Sequence, residues 1–528
     1  MSVKTPATGI WRPESGDRGG YVDEKLQRPE SEWFGVGGGY VSRPRRLLVE
    51  FDLKRKLNSG NKQAITMSSK SVDRLSLLPE DILSQILSRM PTILAVRTSI
   101  LSKRWRYSWM LVTNIDFDYD VHPIGDLYNL IKFVDRVLDL CKTSEVNLFR
   151  LRVGKFLIQE SIMVSNWIEK AVRSNVHELD LQVETLELPV SLFTCKTLAI
   201  LRLECSRPYD YDLCECRVNL PCLKTLDMVG LKNPFINISK LISGCPLLEN
   251  LSFEVRWSLS YAYDQIRWMH RMAKEDYIFN IPTLKRLKIT WKSRVCHINK
   301  VVLNVPNLEY LFVGGVLRPF IILENASSLL EACVSFSDIR CVDYHHAHPW
   351  AELLKGLSGV KSLSVQHNAS TSLLPNFSNM THLELKSCWS SIQIFHFLKN
   401  SPELEHLYIE KIEYSGWIKP MRVPPCMLAK LTTINLSTCN GQQWEIRFLE
   451  YMLGNAKDLK TLTITWENVR FVEEVRLREQ LLAVPRASRY CEIIFLGSSS
   501  PSSPVKRARH AVWNNPFVSR FFNFMPNH

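Results

Sequence analysis

Between Leu148 and Trp466 the apolar residues return in one short formula, an aliphatic residue followed by two more at the third and fifth positions after it. Copies stand at Leu198, Leu201, Leu203; Leu223, Leu226, Met228; Leu248, Leu251, Phe253; Leu284, Leu287, Ile289; and Leu308, Leu311, Val313. The series continues at Val360, Leu363, Val365; Met380, Leu383, Leu385; Leu404, Leu407, Ile409; and Leu459, Leu462, Ile464. The last two residues of each copy are two apart, so they share one face of a short strand. Successive copies lie mostly in the low to mid twenties of residues apart, and three longer intervals mark insertions or degenerate copies, one of them near Trp257 to Asp276. A unit of that size cannot bury its apolar face alone; it must stack on neighbours. The pattern predicts an α/β solenoid, curved, with short parallel strands lining its inner face. Gly244-Cys245-Pro246 and Asn400-Ser401-Pro402 precede two of the strands as turn signals.

The segment from Leu75 to Trp109 carries a different period. Pro79 suits a first helical position, Glu80 and Asp81 place negative charge at the positive end of the helix dipole, and Ile82, Leu83, Ile86, Leu87 and Met90 form one stripe that Pro91 stops. A second helix is expected after Thr92 as its cap, burying Ile93, Val96 and Ile100; a third after Ser102 carries Trp105 and Trp109. Three helices this short make a small core, and part of their apolar surface is expected to meet a partner.

The remaining stretches lack period. Residues 1–68, including Gly35 to Gly39, and residues 498–528, which begin SSSPSSP, are read as disordered extensions. No run of about 18 apolar residues occurs, nor a continuous apolar stretch in the first thirty residues, so a soluble, non-secreted chain with no membrane partner is expected. The 14 cysteines among 528 residues show no repeated spacing, which fits a reducing setting in cytoplasm or nucleus. The net charge of +13 is dispersed, with short basic groups at Arg43 to Arg46, Lys54 to Lys56 and Lys506 to Arg509. That scatter argues against a nucleic-acid interface; the last group has the composition of a weak nuclear signal.

The residues from Leu78 to Arg106, LPEDILSQILSRMPTILAVRTSILSKRWR, closely resemble the F-box of plant F-box proteins, departing from it at Thr92-Ile93-Leu94. The resemblance assigns residues 71–118 to this domain and implies docking on a Skp-type adaptor, and through it on a cullin scaffold. The positions it places against the adaptor are Leu78, Pro79, Ile82, Leu83, Ile86, Val96, Leu101 and Trp105. Residues 148–420 then read as leucine-rich repeats. Residues 421–497 resemble the FBD domain of many plant F-box proteins, in Val423-Pro424-Pro425-Cys426, Phe448 to Ala456, Leu459 to Ile464 and Val484 to Ile493. There the pattern predicts a helix ending near Gly454, a buried strand, a charged helix through Leu482 and a last strand at Cys491 to Phe495, together capping the solenoid.

Catalytic chemistry does not assemble from the sequence. Cys214-Glu215-Cys216 is too tightly spaced for a zinc pair, His345, His346 and His348 lack a matching ligand cluster, and Gly35 to Gly39 lacks the Lys-Ser/Thr of a phosphate loop. No metal or cofactor is expected. The family resemblance implies a non-catalytic substrate receptor of an SCF-type (Skp-cullin-F-box) ubiquitin ligase, holding a protein target on the repeats for ubiquitination and degradation. The alternatives are an F-box scaffold that promotes no degradation and a small-molecule receptor with a ligand on the repeat face.

Overall fold

The computed structural model describes residues 77–497, apart from short internal segments of which 256–274 is the longest. The expectations for the N-terminal extension, Gly35 to Gly39, Cys214 to Cys216, His345, His346 and the residues after Gly497 lie outside the described residues, as does most of the Trp257 to Asp276 insertion.

Fifteen strands form a single sheet. They are β1 (Asn114–Asp118), β2 (Leu148–Val153), β3 (Glu178–Val183), β4 (Ile200–Tyr209), β5 (Thr225–Leu231), β6 (Asn250–Val255), β8 (Arg286–Trp291) and β10 (Tyr310–Gly315), continuing through β12 (Glu331–Phe336), β13 (Ser362–Gln366), β14 (His382–Trp389), β15 (His406–Ile412), β16 (Thr433–Cys439), β17 (Thr461–Trp466) and β18 (Glu492–Leu496). Every pairing is parallel and joins a strand to the next in the series, as in the register Leu226↔Leu251 and Leu251↔Leu287. A parallel pair requires a crossover outside the sheet. Helices 127–140, 161–173, 234–243, 347–356, 391–399, 443–455 and 471–482 supply several of these crossovers. Between β6 and β12 the chain instead forms a second parallel sheet of three strands, β7 (Glu275–Asn280), β9 (Ile298–Asn304) and β11 (Phe320–Glu324), in the order β11-β9-β7.

The recurring formula has a simple geometric content. Its first residue lies in the turn before the strand, where its N–H donates to the carbonyl three residues earlier, as Leu223 does to Leu220, Leu284 to Ile281 and Leu308 to Val305. Its second and third residues alternate inward along the strand, and all three are buried in the one contiguous core. Each such side chain contributes roughly 1.5–3 kcal/mol by burial, so the sheet is held by the repetition of one modest gain.

Two of the three long intervals contain further copies rather than insertions, a degenerate one beginning at Leu329 and a regular one beginning at Leu431. Leu329, Ala332, Val334 form β12 and Leu431, Ile434, Leu436 form β16, buried in the same register as their neighbours. The third interval contains β7, the first strand of the small sheet. The array also begins earlier than Leu148: Val112, Ile115, Phe117 make β1 directly after the short helices.

The FBD segment matches the expected helix, strand, helix, strand order, with helices 443–455 and 471–482 flanking β17. It forms this end of the solenoid by extending the same sheet through β16, β17 and β18. Trp466 and Phe495 stack across the last pair with ring centroids 6.2 Å apart.

In the N-terminal segment the helices span Glu80–Leu87, Thr92–Arg97 and Trp105–Ser108. Four expectations change, two of them being that Pro79 is the N-cap of the first helix rather than its first residue and that Val96 is only half-buried. Thr92 is the first helical residue rather than the cap, and its hydroxyl accepts the Asp116 N–H at 2.7 Å, tying the helix to β1. Ile100 is 76% exposed, not buried, because residues 98–100 form a 3₁₀ turn whose tighter 120° step rotates the side chain off the apolar stripe.

Candidate functional site

Leu83, Leu87, Ala95, Trp105 and Trp109 form the small core under the three N-terminal helices, and that core is continuous with the one beneath the sheet. Hydrogen bonds lock the arrangement: Ser84 donates to the Leu111 carbonyl at 2.9 Å, the Thr113 N–H donates to Ser88 at 3.0 Å, and Arg104 donates to the Leu78 carbonyl. The departure at Thr92-Ile93-Leu94 acquires a role here, since Thr92 and Ile93 are buried and the helix they open packs against β1.

The eight residues placed against an adaptor therefore separate into two groups. Ile82 (39% exposed), Ile86 (38%) and Leu101 (68%) present apolar surface, joined by Pro79, which is exposed, and by the half-buried Leu78 and Val96. Leu83 and Trp105 are core, at 0% and 6% exposure, so they support that surface from below and cannot touch a partner docked on this conformation. The sequence pattern missed Ile100, which is in phase with Ile93 and Val96 and reads as buried, and Tyr107, 60% exposed, whose signal is an aromatic residue out of phase with Trp105 and Trp109.

The second surface is the outer face of the sheet, formed by the residues between the core positions. Across strands the middle positions run Asp116, Arg150, Asp180, Arg202, Asp227 in register. Signs alternate. Arg150 Nε donates to Asp180 Oδ2 at 2.9 Å and its Nη1 to Asp116 Oδ2 at 3.3 Å, while Arg152 reaches Asp180 at 3.3 Å and Arg202 pairs with Glu178. Burial works against the charge on Arg150, but the Asp180 hydrogen bond and its neighbouring carboxylates outweigh it and raise the pKa. Burial raises Asp227, opposed by the Ser252 hydrogen bond, Lys288 and Arg202.

From β8 onward the same middle row becomes Lys288, Phe312, Cys333, Ser364, Glu384 and Tyr408, a mixture of aromatic, small and charged groups. Two residues earlier on the same strands, His382 and His406 lie side by side with ring centroids 4.4 Å apart. Burial, then the neighbouring His406, lowers the pKa of His382. At the strand entrances a cleft of about 470 Å³ is lined by Leu247, Glu249, Pro282, Lys285, Asn307 and Glu309. Its lining joins apolar surface, including Leu247 and Pro282, to polar groups, with Lys285 paired to Glu249 at 3.2 Å.

Among the described residues no group of three or more His, Cys, Asp or Glu side chains is placed to hold a metal, and no helix is long and apolar enough to cross a membrane. Burial pushes the Cys141 thiol up to about 11 and those of Cys245 and Cys426 up to about 12, which makes them poor nucleophiles.

Family models match along the chain in the order of these parts. The F-box domain matches residues 75–114, the LRR repeats of the FBD-associated F-box protein At5g56370 match 164–321, and FBD matches 419–464. Similar proteins of Arabidopsis thaliana include F-box/LRR-repeat protein At4g14103, 32% identical over 65% of this chain and 92% of its own length. FBD-associated F-box protein At4g10400 and F-box/FBD/LRR-repeat protein At4g26340 are each 30% identical over 80% of this chain and their full length. With the F-box, LRR and FBD matches in that order along the chain and relatives 30% identical over 80% of it, the chain belongs to the plant F-box/FBD/LRR-repeat family.

Proposed function

We propose that this chain is the substrate-recognition subunit of an SCF-type ubiquitin ligase. The observation that carries the reading is the division of the F-box: its core residues are sealed against the sheet, while Ile82, Ile86, Ile100 and Leu101 remain on the surface of a domain with little other core to give them. Apolar side chains left out of so small a bundle fit a partner, and the F-box family implies a Skp-type adaptor that joins the cullin. The outer sheet face, with its charged ladder at one end and mixed aromatic groups at the other, then holds a protein target. This chain supplies no reacting group. Its contribution to rate is to keep the target beside the ubiquitin-conjugating machinery, converting an encounter into an intramolecular step.

The test is co-purification of the adaptor with the full chain carrying Ile82→Asp and Leu101→Asp together. Hot-spot contacts are worth about 2 kcal/mol or more each, so affinity should fall by at least about 100-fold with the thermal midpoint unchanged. Adaptor binding of native strength by the folded variant would refute the docking face. Proteins captured by the native chain should accumulate when the proteasome is inhibited; unchanged levels would favour a scaffold without degradation.

A further inference from the structure

We infer that the helix 471–482 is the docking surface for the C-terminal segment of the same chain, residues 513–525. The helix packs inward through Leu477 and Leu481, which are 5% and 0% exposed. A second stripe faces away from the core: Phe471 (79% exposed), Val475 (38%) and Leu482 (52%), with Val472 (80%) beside it. Phe471, Val475, Glu479 and Leu482 follow one another at four, four and three residues, so they lie in line along the helix. Four outward apolar side chains on one twelve-residue helix leave a second apolar face on an element that needs only one.

The exit point of the described chain selects the occupant. β18 ends at Leu496, and a Cβ placed on Gly497 would lie 4.0 Å from the Glu474 carboxylate, in the first turn of this helix. Arg478 of the same helix sits over the Phe495 ring, 5.2 Å from its centroid. The chain thus leaves the sheet alongside the exposed stripe. The residues that follow include Trp513, Phe517, Phe521, Phe522, Phe524 and Met525, an aromatic density matched nowhere else in the sequence. Phe517, Phe521 and Phe524 recur at four and three residues, the interval that complements a helical stripe.

Reach and charge agree with this choice. Residues 498–512 can extend up to roughly 50 Å, against a helix about 18 Å long, so every point of the stripe is accessible to the segment beyond them. Residues 498–528 contain Lys506, Arg507, Arg509 and Arg520 and no acid, and the exposed Glu479 lies within the stripe, whereas Glu473 and Glu474 already pair with Arg476 and Arg478 of the helix. A segment tethered this closely is at an effective concentration of about a millimolar, which favours it over a second copy at ordinary concentrations.

Hydrogen exchange read by mass spectrometry on the full chain tests the contact. Peptides covering 513–525 should be protected at least about 10-fold over a short unstructured peptide, and Val475→Asp on the helix should abolish that protection while β17 exchanges as in the native chain. Phe521→Asp with Phe522→Asp should abolish it equally. If Val475→Asp disturbs β17, Phe471→Glu at the more exposed helix start gives the same reading. Unprotected 513–525 in the native chain, protection that survives the helix variants, or protection that rises with protein concentration and so belongs to a second copy would each overturn the inference.

Discussion

Replacing Asp180 by Ala removes the carboxylate at the centre of the charged ladder. Its Oδ2 accepts from Arg150 Nε at 2.9 Å and from Arg152 Nη2 at 3.3 Å, and the residue is 8% exposed. A hydrogen bond to a charged group is worth about 1.5–3 kcal/mol net, and stripping the partner from a fully buried charge costs about 3–5 kcal/mol. The two arginine side chains are 28% and 24% exposed and Arg150 keeps Asp116, so water and the second anion recover part of that loss. About 2–3 kcal/mol is the expected destabilisation. Glu169→Ala provides the contrast: its pair with Arg173 has side chains 40% and 77% exposed, and loss should stay below about 0.5 kcal/mol. Urea unfolding of both variants, with Asp180→Ala combined with Arg150→Met in a cycle, measures the difference and the coupling. A coupling energy below about 0.5 kcal/mol would refute the view that the ladder stabilises the sheet and would reassign these charges wholly to recognition.

Leu83→Ala, at 0% exposure, should cost about 2–5 kcal/mol and weaken adaptor binding only in proportion to unfolding, which calorimetry beside a binding assay at low temperature separates from a direct contact. Gly315→Ala should cost about 2 kcal/mol or more, since φ is +91° there and an added Cβ would run into the Trp291 carbonyl oxygen; an unchanged melting midpoint would contradict it. His382 has a folded pKa below its ordinary 6.5, so the unfolded chain binds the proton more readily. Stability should therefore decline as pH falls through and below 6.5, levelling once the folded pKa is passed, and His382→Gln should flatten that part of a pH–stability profile.

Much of this architecture is set by short-range pattern. A residue at the third and fifth positions after an aliphatic one states both a turn and two inward strand positions, and the same formula in nine copies was enough to predict a parallel solenoid. The F-box and FBD segments were legible for the same reason, since their defining residues are adjacent in sequence. Degenerate copies were not. Leu329, Ala332, Val334 substitute a small residue in the middle, and that position becomes recognisable only when strands on both sides impose the register. The exchange of helices for the three-stranded sheet β7-β9-β11 likewise depends on pairing between segments twenty or more residues apart, which no local period encodes.

At the candidate sites the division is sharper. That Ile82 and Leu83, or Leu101 and Trp105, belong to one docking motif is a property of the sequence; which of each pair faces solvent is decided by packing, since one helical step of 100° separates Ile82 from Leu83 and Leu101 lies in the turn before the helix that buries Trp105. The alternation of Asp116, Arg150, Asp180, Arg202 and Asp227 can be found by aligning repeats on their core residues, yet its charges neutralise one another only because parallel pairing brings residues 22 to 34 positions apart to adjacent strands. Sequence alone determined the periodic burial that makes a repeat array and the motif that opens it. Tertiary structure decided the faces, since exposure is a property of what packs against a residue and not of the residue itself.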